Sequence, residues 1–320
     1  MKMTQDSMKT AGIDIGKSWL DLALANAAQR WRWPNTAPGR QALMAFLQQA
    51  QVTRVGLEAS GGYERALVAD LRQADFDVVI FQPRQVRAYA VYRLRRAKTD
   101  AIDAGLIAAC TAAHGPGRPA PDPRLAALAE PLRLIAQIEE DLVRLKTRRA
   151  AYQDERIRAR IGTEIARLKA ERTAEIKALM ATLTAHPDLA GRLALLTSIP
   201  GIGQRTALTL LVLMPELGTL SREAAAALAG LAPFDRSSGQ HKGRRQIAGG
   251  RSSLRTALYA AALPAAFRWN KALVAFYQRL KAAGKSHKQS LVACARKLII
   301  YANTVIARQT PWTANNGCSG

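Results

Sequence analysis

The stretch Ala11–Ala25, AGIDIGKSWLDLALA, decides the fold. Ala11–Asp14 and Leu20–Ala25 read as two strands, and Gly16-Lys17-Ser18 between them suits a hairpin turn. Trp31–Trp33 follows as a third short strand. Arg40–Gln49 then has helical spacing, Val52–Leu57 is strand-like, and Tyr63–Gln73 is helical again. Asp77–Phe81 (DVVIF) is a β-branched run that ends before Pro83, and a further helix follows Lys98-Thr99-Asp100. Three strands in a meander, then strands alternating with helices, is the order of a mixed five-stranded sheet covered by helices.

Beyond this α/β domain, residues 1–114, the segment 115–123 (GPGRPAPDP) breaks every periodic pattern and reads as a linker. Over residues 124–186 the apolar positions Leu128, Leu132, Ile135, Ile138, Leu142 and Leu145 step by three or four, as do Ile161, Ile165, Leu168, Ile176, Leu179 and Leu183. The polar Gln153–Arg160 between them is a turn or a solvated part of one long helix. A stripe this narrow predicts a coiled-coil or helical-hairpin stalk that dimerises. Residues 187–308 read as compact, basic and mainly α-helical: Ala225–Leu231, Ser252–Phe267 and Ser286–Ile306 are helical, with a loop from Ala232 to Gly250. Residues 309–320 are expected to be a loose tail.

The 320 residues carry 47 Lys+Arg against 24 Asp+Glu, a formal charge of +23. The excess is uneven: residues 1–120 hold +6, 121–183 hold +3, and 184–320 hold +14. Such a basic half is used most often to release counterions from nucleic-acid phosphates. A hydrophobic share of 48% excludes a disordered basic tail. No apolar run reaches the ~18 residues of a membrane span, and the start, MKMTQDSMKT, lacks the order of a secretion signal. Cys110, Cys294 and Cys318 have no metal-site spacing and an odd count, against a disulfide framework or zinc. A soluble cytoplasmic protein with a polyanionic partner is the class this leaves.

Three constellations carry chemistry. Asp14 lies inside an apolar strand pattern, Glu58 ends the strand Val55–Glu58, and Asp100 and Asp103 stand three apart on one helical face. Such a set can hold hard divalent cations through oxygen ligands, and a pair of metals ~3.5–4 Å apart can activate a phosphodiester. Taken singly, Asp14 also suits a turn and Asp100 a helix N-cap. Second, Ala232–Gly239 (APFDRSSG) is followed by Lys242, Arg244, Arg245, Arg251 and Arg255. From composition, Ser238 in this loop reads first as a hydrogen-bond donor to phosphate and second as a nucleophile flanked by charge-neutralising arginines. His241 nearby is read as solvated. Third, Ile199-Pro200-Gly201-Ile202-Gly203 before a helix is similar to the hairpin of helix-hairpin-helix modules, where backbone N–H groups, here at Gly201 and Gly203, hold a DNA phosphate.

Taken together, GIDIGK, LEASGGYE, FQPRQVRAYA and KTDAIDA resemble the N-terminal domain of DEDD-type insertion-sequence transposases. SIPGIGQRTA and LAGLAPFDRSSGQHKGRRQIAGGRSSLRTALYAAAL resemble the second domain of the same family, which includes bridge-RNA-guided recombinases. The resemblance implies a ribonuclease H-like (RuvC-like) N-terminal domain, a coiled-coil stalk and a mainly α C-terminal transposase domain. It implies that Asp14, Glu58, Asp100 and Asp103 bind Mg²⁺, and that Ser238, chosen over Ser237 because Gly239 follows it, is the nucleophile that forms a covalent link to DNA. Donor and target DNA and a noncoding bridge RNA would be the partners, with a homodimer assembling into a tetramer, and association with the nucleoid is expected on the same resemblance. The competing expectations are a hydrolytic Holliday-junction nuclease, a non-catalytic nucleic-acid-binding protein, and a kinase-like ATPase built on Asp14-Ile15-Gly16.

Overall fold

Alternation along the strands sorts side chains to two faces, and the two faces are used differently. In β1 (Thr10–Ile15), Ala11, Ile13 and Ile15 point one way, and Gly12 and Asp14 the other. β2 (Trp19–Leu24), β3 (Arg30–Pro34), β4 (Arg54–Glu58) and β5 (Asp77–Phe81) complete a sheet of order β3-β2-β1-β4-β5. The first three strands are antiparallel neighbours, and β1, β4 and β5 run parallel. This is the mixed five-stranded sheet the sequence predicts, and it is consistent with a ribonuclease H-like arrangement. The computed structural model describes residues 9–25, 27–93, 100–115, 122–234 and 246–313, with the backbone alone for 100–103. It divides into two units, Met1–Ala120 and Pro121–Gly320.

One face of the sheet is a conventional apolar layer. Ala11, Ile13, Leu20, Leu22, Val55 and Leu57 meet Leu43 and Leu47 of α1 (Ala37–Gln49) and Leu67 and Leu71 of α2 (Arg65–Gln73). Trp31 and Trp33 of the edge strand close this layer against Phe46, with ring centroids 4.7 and 5.2 Å apart. Pro83 does end β5, but it also opens α3 (Pro83–Tyr92), which the sequence reading did not predict. At the first helical position proline lacks only an N–H that would have no helical partner, and Gln85 accepts from the Gln82 N–H at 2.8 Å.

The other face receives α4 (Asp100–Ala113) at very short range. A Cβ on Gly12 would strike the backbone of Ala104 and Ala108, and one on Gly56 would strike the Thr111 hydroxyl. Gly12 and Gly56 are register partners in β1 and β4, so α4 lies across the groove they leave. Ala23, Ala104 and Ala108 extend the same small-residue contact onto β2.

In the second unit, α6 (Ala129–Ala151) and α7 (Glu155–Thr184) form an antiparallel hairpin. Ile138 and Leu142 meet Ile165 and Leu168 in its distal part, while Leu132, Ile135, Leu179 and Leu183 join the main core. The turn is shorter than the polar Gln153–Arg160 segment: Asp154 caps α7, accepting from Arg156 and Ile157 N–H. Helix α5 (Pro123–Ala127) precedes the hairpin, so Pro123 belongs to a helix rather than to the linker. Its Arg124 donates to Asp122 and Asp188, which holds both carboxyls below their usual range.

The core itself is helical. It gathers α8 (Pro187–Thr197), α9 (Gln204–Leu213), α10 (Arg222–Leu228), α11 (Ser252–Pro264), α12 (Lys271–Ala282) and α13 (His287–Arg308). A π-helical turn, Ala265–Trp269, joins α11 to α12, and α12 was not anticipated from the sequence. Helix α13 is long and apolar enough, by composition alone, to cross a membrane. Here Leu291, Cys294, Leu298, Ile299 and Ala302 place it at the centre of the core instead. Burial raises the Cys294 thiol to about 11, and Cys110 is buried and free as well. The loose-tail expectation fails for residues 309–313: Trp312 packs 6.0 Å from the Tyr301 ring, and its backbone N–H donates to Ser198 Oγ at 2.9 Å.

Because a methyl at Gly12 meets backbone rather than a movable side chain, Gly12→Ala should lower stability by about 1–3 kcal/mol or more. Urea unfolding of the full chain measures this, and a wild-type midpoint would refute the close-approach account.

Candidate active site

The face beneath α4 ends in carboxylates. Asp14 and Glu58 each stand two residues beyond Gly12 and Gly56, so they lie side by side at the carboxyl ends of neighbouring parallel strands, both half-buried. Helix α4 runs back across this face: Thr111 sits over Gly56, and Ala104 sits over Gly12 nearer the helix start. The Arg54 guanidinium, at the start of β4, donates to the His114 carbonyl just past the helix end. The first turn of α4, which carries Asp100 and Asp103, precedes the Ala104 that sits over Gly12. The side chains of Asp100 and Asp103 lie outside the described residues.

Two further features shape this end of the sheet. Asp21 is the antiparallel register partner of Asp14 and shares its face. Its carboxylate is bound by Arg32 of β3 at 2.7 and 3.1 Å, which balances the Asp21 charge beside Asp14. The sequence reading missed this pair, although Asp21 and Arg32 each stand at alternating positions that could have been matched across the meander. The β1–β2 turn is braced by Asn35, whose side chain donates to the Gly16 carbonyl at 3.0 Å and whose N–H donates to that of Ser18 at 2.8 Å. Lys17 in that turn is exposed.

After β4 the chain bends through Ala59–Tyr63, and Glu64 holds the bend. Its carboxylate accepts from the Ser60 N–H, the Ser60 hydroxyl and the Gly62 N–H at 2.9–3.1 Å. Burial alone would raise this carboxyl, but the donated backbone and hydroxyl hydrogen bonds outweigh it and set it below its ordinary value.

Asp14 and Glu58 offer only carboxylate oxygens, the donor type that Mg²⁺ prefers. The residues present thus fit a hard divalent cation. Among the described residues no three acids, histidines or cysteines gather as a metal cluster.

In the second unit the loop from Ala232 to Gly250 is closed at its base. Pro233 and Phe234 form β6 and pair antiparallel with Gln246 and Ile247 of β7. Ser237, Ser238, His241, Lys242, Arg244 and Arg245 lie outside the described residues. Arg251 is engaged within the fold: its guanidinium binds the Glu216 carboxylate at 2.7 and 2.8 Å and donates to the Leu213 carbonyl at 2.7 Å. Arg255 donates to the Gly249 carbonyl at 2.9 Å. The two arginines thus anchor the distal end of this loop.

Gly201 and Gly203 lie in the turn between α8 and α9, before a helix as the sequence reading places them. Gly201 has φ +107°, and a Cβ there would strike the Ala265 side chain. Gly203 is the N-cap of α9, where a Cβ would meet open space. Asn270, fully buried, ties the turn down: its Nδ2 donates to the Pro200 carbonyl at 3.2 Å while its Oδ1 accepts from Leu273 N–H.

Known proteins match this chain in both units. A family model described as a transposase of the DEDD, IS110 type matches residues 11–155. A second, described as the transposase IS116/IS110/IS902 family, matches residues 193–278. The pilin gene-inverting proteins of Moraxella lacunata and Moraxella bovis are each 29% identical over 322 aligned positions, covering 94% of this chain and 96% of the relative. An uncharacterized 43.6 kDa protein of insertion element IS110 from Streptomyces coelicolor is 40% identical over 129 residues, 39% of this chain and 30% of that protein.

Two outcomes follow from these geometries. A carboxyl depressed on folding stabilises above its unfolded pKa of about 4.3 and loses that contribution as pH falls through its folded value. Glu64→Gln should therefore cost about 1 kcal/mol near pH 7 and progressively less below pH 4, as read by urea midpoints across pH. Arg251→Ala should cost about 2 kcal/mol, because it leaves the mostly buried Glu216 carboxylate without that partner. Thermal melting tests it, and an unchanged Tm would return Arg251 to the pool of ligand-binding cations.

Proposed function

The chain belongs to the DEDD-type insertion-sequence transposase family, and on that premise we propose that it cuts and rejoins DNA as the recombinase of a mobile element. The observation that carries the reading is that Asp14 and Glu58 follow the register-matched Gly12 and Gly56 at the ends of adjacent parallel strands, on the face covered by the helix that bears Asp100 and Asp103. Asp14, Glu58, Asp100 and Asp103 would hold Mg²⁺, which, when bound, supplies positive charge to a scissile phosphate. The unit Met1–Ala120 is read as the RuvC-like domain, and the hairpin α6–α7 as the dimerising coiled-coil stalk.

In this mechanism the Ser238 hydroxyl attacks the phosphorus. A serine–phosphate ester bond forms as the bond to the leaving sugar oxygen breaks, and that oxygen takes up the proton the serine gives up. Lys242, Arg244 and Arg245 in the same loop would stabilise the added charge on the phosphoryl oxygens. Attack by the freed hydroxyl of the other DNA duplex on the ester reverses these bonds and releases the serine. Gly201 and Gly203 would seat a backbone phosphate, which positions DNA without reading its bases. Sequence choice is assigned to a bridge RNA that pairs with donor and target, so the protein itself needs shape and backbone contacts alone. The site is composite, with the serine of one protomer meeting the acids of another in a tetramer.

The test uses the full chain with its RNA and donor and target plasmids. Ser238→Ala should abolish a protein–DNA adduct seen on denaturing gels, and Ser237→Ala should keep it. Asp14→Asn or Glu58→Gln should slow recombination by at least about 10²–10³. Cleavage without any adduct would favour a hydrolytic nuclease with water as nucleophile. Binding indifferent to all four acids, with no cleavage, would favour a non-catalytic binder.

A further inference from the structure

The π-helical turn Ala265–Trp269 exposes two aromatic rings that the core does not use. Phe267 is 55% and Trp269 57% exposed, while Ala265 and Ala266 of the same turn are buried. Phe267 heads an aromatic cluster. Its ring lies 5.0 Å from Tyr277 and 6.0 Å from His287, and the Tyr277 hydroxyl is hydrogen-bonded to His287 Nδ1 at 2.7 Å. Three elements, the turn, α12 and the start of α13, thus hold Phe267 in place and leave one side of it open.

The surroundings are cationic. Arg268, Lys271, Lys285 and Lys288 on these elements are all exposed, and no Asp or Glu follows Asp235 in the sequence. Among the described residues none of the four is engaged in an ion pair. An apolar contact with a second copy of this chain would bring those cations against their own kind, so charge argues for a polyanion as the occupant.

The patch is also joined to the phosphate-seating turn. Gly201 packs against Ala265 with no room for a side chain, and Asn270, next to Trp269, donates to the Pro200 carbonyl. A strand whose phosphate sits on the α8–α9 turn therefore passes the π-turn within the same rigid assembly. Aromatic faces beside basic side chains are what an unpaired strand uses, because every base has a π-face to stack.

We propose that Phe267 and Trp269, flanked by Arg268, Lys271, Lys285 and Lys288, form a stacking platform for unpaired DNA bases next to the α8–α9 turn. The proposal rests on the recombinase reading, in which strand exchange leaves DNA bases unpaired, and it assigns those bases a place in the second unit. Stacking here is indifferent to base identity, so the platform would hold a strand without choosing its sequence.

The experiment is fluorescence anisotropy of the full chain with labelled fifteen-residue oligothymidine, the matching oligouridine, and a duplex of equal length. Phe267→Ala with Trp269→Ala should weaken oligothymidine binding about 5-fold or more and leave duplex binding within about 2-fold. Phe267→Tyr with Trp269→Tyr, which keeps both π-faces, should retain most of it. Equal losses on duplex and single strand, unchanged oligothymidine binding, or a loss confined to oligouridine would each overturn the assignment. So would a change of oligomeric state in the alanine variant, which would make the patch an interface between copies. If the double variant melts early, Trp269→Ala alone supplies the same comparison. The assay needs neither Ser238 nor the acids: a failure here leaves the recombinase reading standing, and absence of a covalent adduct with the unaltered chain would sink that reading without touching this binding result.

Discussion

The N-terminal unit depends on a contact between backbones. Helix α4 can lie where it does only because Gly12 and Gly56 present no side chains at adjacent positions of β1 and β4. Two register-matched glycines make a shallow channel, and Ala23, Ala104 and Ala108 keep its walls small. A helix seated that low has little freedom to rotate or slide, since each displacement meets main-chain atoms rather than adaptable side chains. Asp14 and Glu58 stand two residues past those glycines, at the carboxyl ends of the two strands the helix covers.

Much of this was legible in the sequence. The period of two in Thr10–Leu24 and the β-branched run Asp77–Phe81 gave strands within a residue or two of those observed. Asp14 stood out because a charge within an apolar strand pattern requires a partner. What escaped reading was set by distant segments. Nothing near Gly12 reveals that Ala108, almost a hundred residues on, will press against it. Pro83 was read only as a stop, although the same ring that ends a strand fits the first position of a helix. Helix α12 was missed because the π-turn before it breaks the helical period just where the pattern would be picked up. Arg251 entered the tally of free cations because its partner, Glu216, lies 35 positions away.

The second unit shows how a strongly basic chain folds without neutralising itself. Residues 184–320 contain four acids, and two of them are committed to internal contacts: Asp188 to Arg124 and Glu216 to Arg251. Cohesion comes instead from Leu, Ala and Ile packed around α13. Since the core asks so little of the charged residues, most of the lysines and arginines stay at the surface, and their field survives to draw in a polyanion. The family's substrate class and the fold's economy of ion pairs are thus two views of one composition.

The short ladder between β6 and β7 fixes the ends of the segment that carries Ser238. Ser238 stands four positions after Phe234, so the two Cα atoms cannot be more than about 14 Å apart. The ladder also brings both flanks of residues 235–245 to one place in the second unit, so that segment leaves and re-enters the fold through a single narrow neck.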